Sequence, residues 1–159
     1  MAKILLKPNP DDVNSIDGII KAFYDIVSGP PGAPRNWDRD RTLYIEGVQF
    51  VYVGAENSQS LPTISIMSHE EFIRRSEPVL LNGFFEREIY RITQNYGNIA
   101  HVLSTYESRQ SENSPVTSRG VNSIRLFHDG NRWWIASAIW QQETRACPIP
   151  AAFLPKPEE

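Results

Sequence analysis

From Phe84 to Glu143 the chain alternates apolar and polar residues almost without interruption, and that period of two commits over a third of the sequence to antiparallel sheet. Two turn signals divide it, Tyr96-Gly97 within NYGN and Asp129-Gly130 within HDGN, each read as a two-residue hairpin loop. The polar segment QSENSPVTS links the hairpins, so the stretch reads as a four-stranded meander. Counting outward from Asp129-Gly130 gathers Gly120, Asn122, Ile124 and Leu126 with Trp133, Ile135, Ser137 and Ile139 on one face. Arg119, Val121, Ser123, Arg125 and Phe127 fall with Trp134, Ala136, Ala138 and Trp140 on the other. Neither is a plain solvent face, which predicts a sheet covered on both sides, by helices on one and by a second subunit on the other. Counting outward from Tyr96-Gly97 puts Glu86, Glu88, Tyr90 and Ile92 with Ile99, His101, Leu103, Thr105 and Glu107 on the inner face. Arg87 and Arg91 then join Arg119 and Arg125 on the dimer side.

The residues before the meander supply the covering layer. Val13, Ile16, Ile19, Ile20, Phe23 and Val27 recur at spacings of three and four, predicting one amphipathic helix over 9–29. Asn9 caps it, Pro10 suits its first turn, and Gly29 with Pro30 and Pro31 stops it. LYIEG and VQFVYVG read as two strands or one bent pair, and TISIM as a further short strand. Ser68 and Glu71 form a capping box for a helix that Pro78 should end or kink. We expect one domain over 1–147 and a proline-rich tail over 148–159, where four prolines forbid regular structure.

Composition narrows function less than fold. Sixteen Lys and Arg against nineteen Asp and Glu give a net charge of −3, without the basic stripe that nucleic-acid binding needs. No stretch approaches the roughly 20 apolar residues of a membrane span, and the run Ile4 to Leu6 is too short for a signal-peptide core. A lone Cys147 calls for no oxidising compartment, and a cytoplasmic protein is the expectation. Histidines at 69, 101 and 128 lack metal-ligand spacing, so no metal is expected. His69 and His128 read as surface residues.

The first helix, WDRDRTLYIEGVQF, SHEEFIRRSEPVL, GNIAHVLSTYES and GVNSIRLFHDGNRWWIASAIWQQE together resemble the nuclear-transport-factor-2-like superfamily, which includes ketosteroid isomerase, scytalone dehydratase and SnoaL-like polyketide cyclases. The resemblance implies an α+β fold, a cone-shaped, mostly antiparallel sheet packed on N-terminal helices, with a small-molecule pocket inside. It implies acid–base chemistry without a cofactor, of the isomerase, dehydratase or hydrolase type; a non-catalytic dimeric module for ligand binding or protein association is the alternative. The Asp-Arg-Asp set of limonene epoxide hydrolase is absent from the strands. His101, mid-strand and able to titrate near neutrality, is the candidate acid or base, with Glu86 as its partner. Asn122, Arg39, Trp37, Tyr90 and Glu88 are the candidate ligand contacts, and Trp134, Ala136, Ala138 and Trp140 the candidate homodimer face.

Overall fold

The computed structural model describes residues 5–158; Ile4 of the N-terminal apolar run lies outside them. Helices α1 (Pro10–Val13), α2 (Ile16–Val27) and α3 (Trp37–Arg41) precede strands β1 (Tyr44–Glu56) and β2 (Pro62–Ser68). Helix α4 (His69–Leu80) follows, then β3 (Phe85–Tyr96), β4 (Ile99–Arg109), β5 (Val116–His128) and β6 (Trp133–Gln142). The six strands form one sheet in the order β2-β1-β6-β5-β4-β3, antiparallel except where β1 runs parallel to β6. The architecture is the expected α+β one. Among the described residues no helix is long and apolar enough to cross a membrane.

Local chemistry explains where the elements part from expectation. The first helix is two, because Ser15 stops α1 and caps α2, its Oγ accepting from the Gly18 amide at 2.9 Å. A Cβ on Gly18 would stand 2.2 Å from the Asp11 carbonyl oxygen, so glycine permits that close junction. LYIEG and VQFVYVG form one strand, the pairing with β6 shifting between Tyr44 and Gln49 and Gly47 taking φ 76°. Ser68 caps α4 as expected, its Oγ accepting from the Glu71 amide. The Glu71 side chain turns instead to Arg75. The helix runs through Pro78 to Leu80, since a proline in the last turn removes only one amide donor. In the tail, Ala151–Phe153 winds into a 3-10 turn, and the Phe153 carbonyl accepts from Thr105 Oγ1 at 2.6 Å on the outer sheet face.

The core lies between the inner sheet face and the helices. Ile19, Ile20, Ala22, Tyr24 and Ile26 of α2 meet Val102, Tyr106, Ile124, Leu126, Ile135 and Ala138 of the sheet. Each fully buried Ile contributes about 1.5–3 kcal/mol relative to exposure.

Three bulges decide which residues face that core. Both hairpin turns sit one place further on than expected: Tyr96 pairs with Ile99 and His128 with Trp133. Those displacements preserve parity. An extra residue then reverses it in each hairpin, Ile89 in β3 and Ala136 in β6, and Thr117 adds another in β5. Glu86 and Glu88 therefore share the inner face with Ser108 and Tyr106, while Tyr90, Ile92, His101 and Leu103 turn outward. Ala138 and Trp140 pair with Ile124 and Asn122 and point inward, which removes them from the expected dimer face. Charge is not sorted by face as expected. Glu107 lies outside with Arg87 and Arg109, and Arg91 reaches from the inner face to Glu88 and Asp17.

Candidate functional site

A cavity of about 540 Å³ lies between the inner sheet face and helices α2 and α4. Phe23 and Val27 of α2, Tyr44, Phe50 and Tyr52 of β1, Met67 of β2, Phe72 and Leu80 of α4 and Trp140 of β6 make its walls. The aromatic walls support one another: Phe50 stacks on Phe72 with centroids 4.7 Å apart, and Tyr52 stacks on Trp140 at 5.6 Å. Exposed Arg75, Val79 and Gln142 mark the mouth.

Glu86, Tyr106 and Asn122 are among the polar residues that line the cavity. Glu86 opens β3, and its strand is strapped to the end of α2, with the Glu86 amide donating to Ser28 Oγ at 3.0 Å and the Gly29 amide to the Phe84 carbonyl at 2.7 Å. Its carboxylate accepts from the buried Ser108 hydroxyl at 3.1 Å. Among the described residues no cation pairs with it. Burial in apolar surroundings pushes its carboxyl up to about 7, against the smaller opposing effect of the Ser108 bond. Burial, and then the charge of Glu86, push the Tyr106 hydroxyl above the usual tyrosine range, so it stays protonated. Tyr106 lies over Gly120, where a Cβ would stand 2.3 Å from its hydroxyl oxygen. Among the described residues every buried side-chain polar atom has a partner. The Tyr106 hydroxyl takes none and opens on the cavity.

Asn122, only 4% exposed, donates from Nδ2 to the Tyr24 hydroxyl at 2.9 Å. Tyr24 meets Ser104 Oγ at 2.7 Å, and Ser104 donates to the Glu88 carboxylate. Arg91 closes the chain, its Nε 2.9 and 3.0 Å from the two Glu88 oxygens.

Of the sequence-predicted residues, Glu86 and Asn122 meet in the cavity. Glu88 stands behind it as the anchor of the Ser104–Tyr24–Asn122 chain. His101 does not: the bulge at Ile89 leaves it on the outer face, where its Nε2 lies 2.9 Å from Ser123 Oγ. Tyr90 also lies on the outer face, paired with Thr105. Arg39 is held by Asp12 through bonds of 2.7 and 2.8 Å that tie α3 to α1. Trp37 begins α3 instead of lying in a loop, and its indole N–H donates to Glu77 at 3.2 Å. His69 is no surface residue, since its ring packs on Tyr44 and its Nε2 meets the buried Asp40 carboxylate at 2.6 Å. Tyr24, Ser104, Tyr106 and Ser108 went unnoticed in the sequence. Tyr24 stands four residues after Ile20 and three before Val27, on the apolar stripe, and that spacing could have found it. Among the described residues no three His, Cys, Asp or Glu side chains gather as metal ligands would.

No protein-family model matches the sequence, and a search of curated proteins finds no match. Solved structures do match in shape. A protein of unknown function with a cystatin-like fold from Nostoc punctiforme superposes with a TM-score of 0.59 at 10% identity, over 82% of this chain and 90% of that one. A candidate dehydratase of the nuclear-transport-factor-2-like family from Streptomyces avermitilis gives 0.58 at 15%, over 90% and 100%. A candidate ketosteroid isomerase from Shewanella frigidimarina gives 0.53 at 17%, over 80% and 95%. At these identities the likeness is one of fold: the chain has the cystatin-like, nuclear-transport-factor-2-like fold.

Proposed function

We propose that the protein binds a small apolar molecule in this cavity and moves protons on it through Glu86, without a cofactor. The observation that carries the reading is a carboxyl poised at about 7, without a cation, in an aromatic-walled cavity. Near neutrality such a group is populated in both protonation states, which suits general acid–base catalysis. As carboxylate, Glu86 takes a proton from a bound carbon or oxygen acid and returns it at a neighbouring atom. The protonated Tyr106 hydroxyl donates to the oxyanion that forms meanwhile. That sequence is the chemistry of an isomerase or dehydratase, and the fold neighbours include candidates for both.

Exchange of the α-hydrogens of 2-tetralone in D2O, followed by NMR, tests this. Catalysed exchange that rises through pH 7 and falls at least a hundredfold in Glu86→Gln supports it; exchange no faster than buffer, or unchanged in the variant, overturns it.

A second reading, association with another copy, rests on the outer sheet face. Ile64, Ile66 and Ile139 are 54%, 61% and 41% exposed there, adjacent across β2, β1 and β6 through Val51 and Val53. The tail covers the opposite half of this face at Thr105. We propose that a second copy covers the apolar stripe about a two-fold axis, which brings the stripe against itself. Sedimentation should then show a dimer that Ile66→Glu makes monomeric; a wild-type monomer at about 100 μM would refute the contact.

A further inference from the structure

The chain of hydrogen bonds behind the cavity has a direction, and the direction reaches the ligand. Glu88 offers only lone pairs, because Arg91 spends its donors on the carboxylate, so the bond between Ser104 and Glu88 uses the Ser104 proton. Ser104 Oγ, its proton committed, accepts from the Tyr24 hydroxyl, 2.7 Å away. The Tyr24 oxygen, its own proton committed in turn, accepts from Asn122 Nδ2 at 2.9 Å. Were the Asn122 amide reversed, two acceptors would face each other with no proton between them. The carboxylate at the far end thus fixes which way the amide points. Asn122 Oδ1 takes no partner among the described residues, and since no buried polar atom there lacks one, Oδ1 opens on the cavity Asn122 lines.

We propose that this cavity selects apolar molecules carrying a hydroxyl or N–H donor, received by Asn122 Oδ1, and that Tyr24, Ser104 and Glu88 are positioning residues that set this preference. The proposal rests on the cavity being the ligand site. It does not need Glu86 chemistry, and the test measures binding instead of turnover.

The chain can be run backwards. In Glu88→Gln the new carbonyl oxygen turns to the Arg91 donors and the new amide N–H faces Ser104. Ser104 then gives its proton to Tyr24, Tyr24 gives its own to Asn122 Oδ1, and the Asn122 N–H2 faces the cavity. Selectivity for donors becomes selectivity for acceptors.

Calorimetric titration with 2-naphthol, 2-methoxynaphthalene and naphthalene reads this directly. Wild type should bind 2-naphthol about tenfold tighter than 2-methoxynaphthalene, the ordinary consequence of one unmatched buried polar group. Glu88→Gln should bring the two to parity or reverse their order, and Tyr24→Phe, which cuts the chain and frees the amide, should level them. Tyr24→Phe keeps the answer available where Glu88→Gln fails to fold. Naphthalene binding with no preference between the two derivatives in wild type overturns the inference and leaves the cavity reading standing. A preference unchanged in folded Glu88→Gln and in Tyr24→Phe overturns it as well. Failure of all three probes to bind overturns both.

Discussion

Replacing Glu86 with Gln should stabilise the protein, and do so only at the upper end of the pH range. A carboxyl that ionises near 7 in the fold and near 4.5 in the unfolded chain binds more protons when folded across that window. The sign follows from linkage: where the folded state holds the extra proton, stability falls as pH rises. Below about 4.5 the group is protonated in both states and nothing is lost, and above about 7 the loss is complete. At roughly 1.4 kcal/mol per pH unit the window contains up to about 3 kcal/mol, and water in the open cavity brings the expected value to about 2 kcal/mol. Gln keeps the shape and can still accept from Ser108, so the variant is spared the ionisation and little else changes. Urea denaturation should show wild type and Glu86→Gln nearly equal at pH 4, and the variant about 2 kcal/mol more stable at pH 8. By thermal melting that is on the order of 4–8 °C for a chain of this size. The same substitution should abolish proton exchange, so stability and activity move in opposite directions. A difference of equal size at pH 4 and pH 8 would refute the claim that burial holds Glu86 near neutrality.

Gly120→Ala sets a Cβ 2.3 Å from the Tyr106 hydroxyl and 2.6 Å from the Gln141 carbonyl, which should cost about 1–3 kcal/mol in urea and weaken naphthalene binding as the phenol is pushed into the cavity. His101→Ala should leave naphthalene affinity and tetralone exchange within about twofold of wild type, because the side chain lies on the opposite face of the sheet. Arg35→Lys should destabilise by about 2–4 kcal/mol by chemical denaturation, since three ammonium donors cannot replace a planar fork that meets four carbonyls.

The meander, its two hairpins and the Ser68 cap were legible because each is a local signal: alternation, a turn glycine, a hydroxyl three residues before an acid. Which side of the sheet a residue faces is not local once a bulge intervenes. Ile89 and Ala136 look like any other strand residues, and the extra residue in each hairpin shows only when the paired strands are laid side by side. His101 was misplaced for that reason, as were Ala138 and Trp140. Aligning β4 against β5 would have exposed the conflict, because His101 pairs with Arg125 and it is Ser104 that pairs with Asn122. Glu86 was placed on the inner face correctly but in the wrong company, with Tyr106 and Ser108 as its true neighbours instead of His101. The relay through Tyr24 was beyond reach of strand counting, since it joins a helix to three strands.

Arg35 has a consequence for how the cavity is entered. Its guanidinium is nearly buried and donates to the carbonyls of Val27, Gly29, Ala33 and Leu80 at 2.6–3.0 Å. It is in effect a cation solvated by peptide oxygens and tethered to the loop that supplies them, with Gly29 bare so that the charge can come close. Withdrawing any of those carbonyls leaves a charge short of solvation in a low-dielectric setting, a cost of several kcal/mol. Val27 and Leu80 are wall residues of the cavity, and the Gly29 backbone is bonded to Phe84 beside them. That side of the wall is therefore stiff, its amide hydrogens should exchange slowest, and a ligand enters by the mouth at Arg75 and Gln142 without displacing it.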